Sequence, residues 1–161
     1  MPQTTVYLSL GSNLGDRGAI LQTAIASLAK AGVRVKKISS FYETEPVDYL
    51  DQPWFVNCVV EGETALVPLE LLKELHKIEA QLGRKKEFAK GPRLLDVDIL
   101  LYGNETIDSP ELQIPHPRML QRNFVLAPLA EIAPLLKLTA WSGTAAQLLS
   151  ASPDKSKIRK L

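Results

Sequence analysis

The chain has 161 residues, of which 45 % are hydrophobic and 23 % are charged. This length and composition suit a single folded domain over residues 1–161, and they exclude a disordered chain. The formal net charge of +1 gives no global attraction to nucleic acid or to an anionic membrane. Cys58 is the only cysteine, which excludes an intrachain disulfide and favours a reducing compartment.

The sequence shows no pattern typical of a targeting or membrane-spanning segment. Its start, MPQTTVYLSLGSN, lacks a basic region followed by an apolar one, and no apolar run approaches the length of a membrane span. We therefore expect a cytoplasmic protein with neither a membrane nor a nucleic-acid partner. The two histidines also exclude a histidine-rich zinc site.

The first elements alternate between strand and helix. Residues 4–10 alternate in polarity and predict a strand. Asp16 suits the N-cap of a following helix that ends near Gly32, and residues 33–42 predict a second strand. The apolar residues at helical spacing between these strands are Leu21, Ala24, Ile25 and Leu28.

The next elements repeat this order. A loop rich in proline and acidic residues leads into the strand-like segment WFVNCVVEG, and Pro68 begins a predicted helix that ends at Gly83. After a basic loop, DVDILLY predicts another strand. The order βαββαβ indicates an α+β, ferredoxin-like core, and the proline-rich tail predicts additional short C-terminal helices. The apolar stripe of the second helix consists of Leu71, Leu75, Ile78 and Leu82.

The strongest candidate site is the pair of acids in DVDILLY. Asp96 and Asp98 are two residues apart in a predicted strand, so they point to the same face, about 7 Å apart along the chain. Val97, Ile99 and Leu101 should then face the buried side. Mg²⁺ is commonly held by one or two carboxylates together with substrate phosphates. A D-x-D motif alone leaves open a solvated edge strand with two acids that have no function.

A basic loop precedes these acids. Guanidinium and ammonium groups next to carboxylates suit a polyphosphate with its metal ions, because the former bind phosphate oxygens and the latter bind the metals. A solvated basic stretch is the alternative, and the composition of the loop does not decide between the two. The cations of this loop are Arg84, Lys85, Lys86, Lys90 and Arg93.

Three further groups of residues are candidates. Phe55 and Asn57 share a predicted strand face, which suits a flat heterocycle that stacks on the ring and pairs with the amide, although a core phenylalanine is an alternative. His76 and Glu79 lie three apart on the second helix, where an exposed face is usual. His116, in the proline-framed segment IPHPRMLQRNF, matters only if that turn lies beside the acids.

Six ordered segments together resemble a known family. They are LGSNLGDR, SSFYETEPV, DQPWFVNCVV, IEAQLGR, GPRLLDVDILLYG and IPHPRMLQRNFVLAPLAEIAP, and they run from about Val6 to about Pro134. In this order and spacing they resemble the 6-hydroxymethyl-7,8-dihydropterin pyrophosphokinase family. GPR-x-x-D-x-D-I-L-L is the most specific of these motifs. Lys90 departs from the family pattern, which often has tryptophan just before GPR.

The resemblance implies a ferredoxin-like fold and a reaction. Pyrophosphate passes from ATP to the hydroxymethyl oxygen of 6-hydroxymethyl-7,8-dihydropterin, and AMP is released. Two Mg²⁺ ions held by Asp96 and Asp98 are expected to bridge the triphosphate. The implied catalytic residues are Arg84, Arg93 and Arg122. The implied ATP-binding residues are His76, Glu79, Arg84, Arg93, Ile99, Leu112, His116 and Arg122. The implied pterin-binding residues are Thr44, Pro46, Val47, Phe55, Asn57 and Phe124.

Two other classes of protein remain to be compared with this enzyme. A non-catalytic ferredoxin-like module that binds a nucleotide or small ligand differs only if the two aspartates are not metal ligands. An RNA-binding sheet of the same strand order lacks support, because the aromatic RNP1 motif is absent and the net charge is near neutral. ATP and the pterin are therefore the expected partners, and a monomer is the expected state.

Overall fold

The computed structural model describes residues 2–46, 51–82 and 94–161, which form an α+β fold. The core elements are β1 (Thr4–Ser12), α1 (Arg17–Leu28), β2 (Val33–Ile38), β3 (Tyr42–Thr44), β4 (Phe55–Thr64), α2 (Pro68–Gln81) and β5 (Asp96–Tyr102). The tail contains β6 (Ile107–Asp108), β7 (Gln113–Ile114), a 3-10 turn (Met119–Gln121), α3 (Asn123–Ile132), α4 (Ala145–Ser150) and β8 (Ile158–Lys160). The predicted ferredoxin-like core and the short C-terminal helices are confirmed.

The main sheet is antiparallel, and β4 is its central strand. Its strand order is β5-β1-β4-β3-β8, and β2 also pairs with β4. The strands β2 and β3 therefore share one side of β4, while β1 pairs along the other side. A separate hairpin of β6 and β7 follows β5. No helix within the described ranges is long and apolar enough to span a membrane.

The prediction of one strand over residues 33–42 was wrong, because the chain forms two strands there. Ile38 pairs with Val60 and Tyr42 pairs with Asn57, so the path from β2 to β3 has one residue more than the matching stretch of β4. The hydroxyl of Ser39 accepts a hydrogen bond from the Val59 N–H at 2.9 Å, where a backbone carbonyl would continue the ladder. This extra residue interrupts the strand.

Local signals explain the ends of the helices. The Asp16 side chain caps α1 by accepting a hydrogen bond from the Ala19 N–H at 3.2 Å, as predicted. Gly32, after α1, has φ 91°, a conformation that glycine adopts without steric cost. Pro68 occupies the first turn of α2, where its missing N–H leaves no hydrogen bond unmade.

Two hydrophobic cores lie on opposite faces of the sheet. The first core joins α1 and α2 to one face, and the second joins α3 and α4 to the other. Cys58 lies in the first core, and burial raises the pKa of its thiol to about 12. The fully buried leucines of the first core include Leu8, Leu10, Leu21, Leu28, Leu71 and Leu75. The second core contains Tyr7, Val59, Leu100, Leu101, Met119, Val125, Leu129, Trp141 and Ala145.

A β-bulge in β5 changes which residues enter each core. Tyr7 pairs with Leu101, but Leu8 pairs with Ile99, so Leu100 has no partner in β1. The prediction that Leu101 shares a face with Ile99 was therefore wrong. Leu101 packs in the second core, and Tyr102 packs in the first. The bulge lies after the acidic residues of β5, so it leaves their alternation intact.

Candidate active site

The two acids of β5 lie on the sheet face that carries the second core. Asp98 pairs with Ser9 and Asp96 pairs with Gly11, while Val97 and Ile99 point into the first core. The predicted shared face of the two acids is confirmed. Asp96 is partly buried and Asp98 is exposed. A ligand can therefore approach both carboxylates from one side of the strand.

A cleft of about 470 Å³ opens beside these acids, between α2, β5 and the segment after β6. Residues from four separate parts of the sequence meet in this cleft. One of these parts is the turn at His116, whose position the sequence did not indicate. The expected site residues that line it are His76, Glu79, Asp96, Asp98, Ile99, Leu112 and His116. The fold thus gathers the nucleotide-binding residues expected within the described ranges, with the exception of Arg122.

The prediction that His76 and Glu79 share an exposed face holds only for His76. Glu79 is 3 % exposed, and its Oε2 accepts a hydrogen bond from the Val97 N–H at 2.9 Å. Glu79 is buried because α2 packs against the start of β5. The carboxylate therefore ties the helix to the residue that stands between the two aspartates.

His116 reaches the cleft from the turn that follows β7. Its backbone N–H donates to the Leu100 carbonyl oxygen at 3.0 Å, and its Nδ1 accepts from the Arg118 N–H at 3.3 Å. Burial lowers the pKa of His116, the nearby charges of Arg122 and Arg118 lower it further, and Asp96 opposes them. The ring is therefore neutral at pH 7. With Nδ1 accepting, its proton lies on Nε2, which can donate a hydrogen bond to an anion.

An aromatic and amide group lies two strands from the acids on the same sheet face. Asn57 Nδ2 donates to Thr44 Oγ1 at 2.6 Å, and Thr44 pairs with Phe55 across β3 and β4. Asn57 and Thr44 are buried, whereas Phe55 is partly exposed. Pro46 is buried just beyond Thr44. This group places a partly exposed ring beside a fixed amide on one strand face, and that shared face was predicted from the sequence.

Gly11 connects the acids and the amide. It pairs with Asp96 on one side and with Asn57 on the other. A Cβ at Gly11 would overlap Asn57 Oδ1, so only glycine lets this amide lie across β1. The strand predicted from the sequence ended at residue 10, one residue before Gly11. Extending the alternation of Tyr7 and Ser9 by two residues would have placed it on this face.

Arg122 and Phe124 lie at the start of α3. The guanidinium carbon of Arg122 is 5.4 Å from the centroid of the Phe124 ring, a cation–π distance. Phe124 is partly buried against the second core. Arg122 does not line the cleft, but its charge lowers the pKa of His116. The expected site residues Arg84, Arg93 and Val47, together with the lysines of the basic loop, lie outside the described residues.

The donor set near the cleft suits a hard cation that shares its coordination with a ligand. Among the described residues, no three His, Cys, Asp or Glu side chains form a metal-binding group. Two carboxylates on one face suit Mg²⁺, because this ion keeps several ligand positions for water and phosphate oxygens. The residues present therefore fit a metal that arrives with a phosphorylated substrate.

The fold and this site define a class of α+β proteins that can bind a polyphosphate next to a flat heterocycle. Residues 7–134 match the family model described as 7,8-dihydro-6-hydroxymethylpterin-pyrophosphokinase (HPPK). The chain belongs to this family.

Two curated relatives are named as hydroxymethyldihydropteridine pyrophosphokinases. A 2-amino-4-hydroxy-6-hydroxymethyldihydropteridine pyrophosphokinase of Bacillus subtilis (strain 168) is 51% identical over 137 residues, which cover 84% of this chain and 82% of that protein. The protein of the same name from Aquifex aeolicus (strain VF5) is 44% identical over 130 residues, 81% of each chain. The family resemblance read from the sequence is thereby confirmed.

Solved structures of low sequence identity share the fold. A crystal structure of an HPPK-DHPS in complex with substrates has a TM-score of 0.78 at 17% identity, and the match covers 93% of this chain and 43% of that chain. A Plasmodium falciparum HPPK-DHPS variant has a TM-score of 0.76 at 16% identity, covering 93% and 44%. This chain therefore spans less than half of those longer proteins.

Proposed function

We propose that the chain transfers pyrophosphate from ATP to 6-hydroxymethyl-7,8-dihydropterin in tetrahydrofolate biosynthesis. The observation that carries this proposal is the row Asp96, Gly11 and Asn57 across three neighbouring strands. Two strand spacings separate the acid from the amide, about 10 Å. A pterin held at Asn57 can therefore present its hydroxymethyl group to phosphates held near Asp96. Family membership and the names of the relatives support the same reaction.

The cleft beside α2 is the proposed ATP site. Ile99 and Leu112 provide apolar contact for the adenosine, and His76 and Glu79 lie at the same wall. His116 donates from Nε2 to a phosphate oxygen, since its neutral ring has this proton available. Arg122 adds a guanidinium for phosphate oxygens. The same role for Arg84 and Arg93 rests on the family resemblance alone.

The face of β3 and β4 is the proposed pterin site. Phe55 and Phe124 are the rings between which a flat heterocycle would stack. The Asn57 amide retains its Oδ1 and one N–H for the polar edge of the pterin after donating to Thr44. Thr44, Pro46 and Val47 complete the proposed contacts, the last by resemblance only.

Two Mg²⁺ ions are part of the proposal. Asp96 and Asp98 would hold them, and when bound they would neutralise charge on the triphosphate. In the transfer, the hydroxymethyl oxygen forms a bond to the β-phosphorus and loses its proton. The bond from the β-phosphorus to the oxygen it shares with the α-phosphorus breaks, and AMP leaves. Arg122 and Arg93 stabilise the charge that develops on the transferred group.

Product analysis tests this function. The protein is incubated with ATP, Mg²⁺ and 6-hydroxymethyl-7,8-dihydropterin, and the nucleotides and pterins are separated. We expect AMP and the pterin diphosphate. ADP instead would indicate ordinary kinase chemistry, and neither product would favour a non-catalytic binding module.

Matched acidic variants test the metal assignment. D98N should lower kcat by roughly a hundredfold or more, because the charge that balances the metal and phosphates is lost. D108N, which changes an exposed acid in β6, is the control and should retain activity. Full activity in D98N would contradict the assignment of Asp98.

We also propose one domain over residues 1–161, a monomeric state and a cytoplasmic location. The incorporation of β8 into the main sheet supports the single domain. Sedimentation equilibrium tests the monomer, and a mass of 17.8 kDa is the expected result.

A further inference from the structure

The helix α3 begins at an unfavourable residue for its cap. Arg122 is the N-cap, and no side-chain hydrogen bond caps the helix from this residue. Arginine cannot provide such a bond, since its guanidinium only donates hydrogen bonds. Helix starts favour Asn, Asp, Ser and Thr, and the positive end of the helix dipole disfavours a cation. Arg122, to which we assign phosphate binding, therefore leaves the start of α3 without a hydrogen bond from its own N-cap side chain.

Asp154, 31 residues further along the chain, supplies the missing acceptor. Its Oδ2 accepts from the Asn123 N–H at 2.8 Å, and its backbone oxygen accepts from Asn123 Nδ2 at 3.2 Å. Its Oδ1 accepts from the Ser156 N–H at 2.8 Å. Burial raises the pKa of Asp154, but hydrogen bonds from Asn123 and Ser156 and the charge of Arg122 outweigh burial and lower it. The carboxylate is thus ionised at neutral pH.

The segment that carries Asp154 is also fixed to the proposed pterin site. In the pairing of β8 with β3, Ile158 lies opposite Thr44 and Lys160 opposite Tyr42. The Lys157 N–H donates to Glu45 Oε1 at 3.1 Å, and the Glu45 N–H donates to the Lys157 oxygen at 2.9 Å. One short stretch of chain therefore contacts both the start of α3 and the end of β3.

We propose that Asp154 is a positioning residue for pyrophosphoryl transfer, acting from the C-terminal segment 152–161 through the first turn of α3. It fixes the Asn123 backbone, and so sets where the neighbouring Arg122 guanidinium and Phe124 ring stand relative to the phosphates and the pterin. This inference rests on the roles given to Arg122 and Phe124 under the proposed function. The segment lies beyond the family-matched residues 7–134, so the family match assigns it no role.

Steady-state kinetics of D154A and D154N test the proposal. Loss of the carboxylate should lower kcat by roughly tenfold to a hundredfold, because small misplacements of groups that act on the transition state have effects of this size. The KM for ATP should change less than kcat, since the adenosine contacts lie in the cleft beside α2. D154N keeps one acceptor oxygen and a nearly identical shape, so it carries the test if D154A does not fold.

A double-mutant cycle distinguishes positioning from a purely structural role. If Asp154 acts through Arg122 and Phe124, then D154A should slow R122A less than it slows wild type in single-turnover assays with enzyme in excess. Additive losses would overturn the proposal. So would wild-type kcat in D154A, or a lowered Tm with unchanged kcat at a temperature where the variant is folded.

Two controls keep the outcomes separate. K160A changes an exposed residue of the same segment and should retain wild-type kcat, since its contact with Glu131 spans 3.8 Å. A wild-type protein that releases no AMP contradicts the proposed function itself. A wild-type protein that releases AMP, together with an impaired R122A and a fully active D154A, contradicts only the role of Asp154.

Discussion

Gly11 lies in β1 between Asn57 of β4 and Asp96 of β5. Because it has no side chain, it leaves room for the Asn57 amide. A methyl group at this position would overlap Asn57 Oδ1. The amide would have to rotate, and its 2.6 Å hydrogen bond to Thr44 would break. Because the two proposed substrates meet across Gly11, a change of one methyl group should act on pterin binding more than on ATP binding.

We expect G11A to lower kcat/KM for the pterin by roughly tenfold or more, because the displaced amide no longer matches the heterocycle edge. Steady-state kinetics with each substrate varied in turn measure this effect. G18A is the matched control: nothing lies within 4 Å of a Cβ at Gly18, in α1. It should retain activity and gain up to about 1 kcal/mol of stability. Equal pterin kinetics in G11A and wild type would contradict the prediction.

For individual residues, the sequence predicts those side-chain directions that depend on strand alternation alone. The shared face of Asp96 and Asp98 and that of Phe55 and Asn57 follow from a period of two residues. The burial of Glu79 does not follow from any local pattern, because it depends on α2 packing against β5. The role proposed for Asp154 depends on a contact between residues 31 positions apart, for which a lone aspartate gives no signal.

Among the elements, α3 is joined to the sheet by one carboxylate as well as by the second core. Glu131 Oε1 accepts from the Ser40 N–H at 3.0 Å and from the Tyr42 hydroxyl at 2.8 Å, and its Oε2 accepts from the Ser40 hydroxyl at 2.7 Å. Burial raises the pKa of Glu131, but these hydrogen bonds outweigh burial and lower it. The ionised form therefore stabilises the folded state.

We expect E131Q to be less stable than wild type at pH 7 by about 1.5 to 3 kcal/mol, the usual range for hydrogen bonds to a charged group. A lowered pKa in the folded state gives stability that is present above the ordinary glutamate pKa of about 4.5 and is lost as the pH falls further. The difference between E131Q and wild type should therefore shrink below that pH. Urea unfolding at several pH values measures it.

The control for this prediction is E105Q, which removes the same formal charge from the exposed turn after β5. It should unfold at nearly the same urea concentration as wild type at pH 7. An E131Q variant as stable as wild type at pH 7 would show that the contacts of Glu131 do not stabilise α3.

The strands that sequence analysis missed or merged are those whose existence depends on their partners. The split between β2 and β3 arises from one extra residue opposite β4, which the apolar pattern of residues 33–42 does not reveal. β8 is a polar three-residue strand that forms only because β3 presents an unpaired edge. In contrast, α2 and β5 carry patterns of their own, so the sequence predicted both elements, although not the bulge in β5.

In the whole molecule, one sheet separates two hydrophobic cores. The first core combines the βαββαβ unit with Leu112 and Ile114 from the hairpin that follows it, and the second adds α3 and α4. The strands contribute side chains to both, with Tyr7 and Leu8 as an adjacent pair that points in opposite directions. Loss of packing on either face should therefore destabilise the same cooperative unit.

We expect L75A in the first core and L129A in the second each to lower the free energy of unfolding by about 3 kcal/mol, because both side chains are 0% exposed. Both variants should still unfold in one transition, by circular dichroism and by tryptophan fluorescence alike. L135A makes the same change at a residue that is 83% exposed and should cost less than about 0.5 kcal/mol. Two separate transitions in either core variant would show that the cores unfold independently.

The fold class was predictable from sequence because each core element carries its own periodic pattern. The six ordered motifs added the reaction, because together they resemble a known family. The sequence did not indicate that the second face of the sheet also carries a hydrophobic core. The proline-rich tail predicts short helices without indicating where they pack.

The hydrogen bond from the Val97 N–H to Glu79 makes one amide a probe of the site. β5 is last in the strand order, and this N–H points away from β1 toward α2. An amide at an outer strand normally exchanges its hydrogen with solvent quickly, but here a buried carboxylate protects it. We expect Val97 to exchange slowly in wild type and much faster in E79A, as measured by NMR in deuterated solvent. Its exchange rate then reports how firmly α2 packs against β5 at the residue between Asp96 and Asp98.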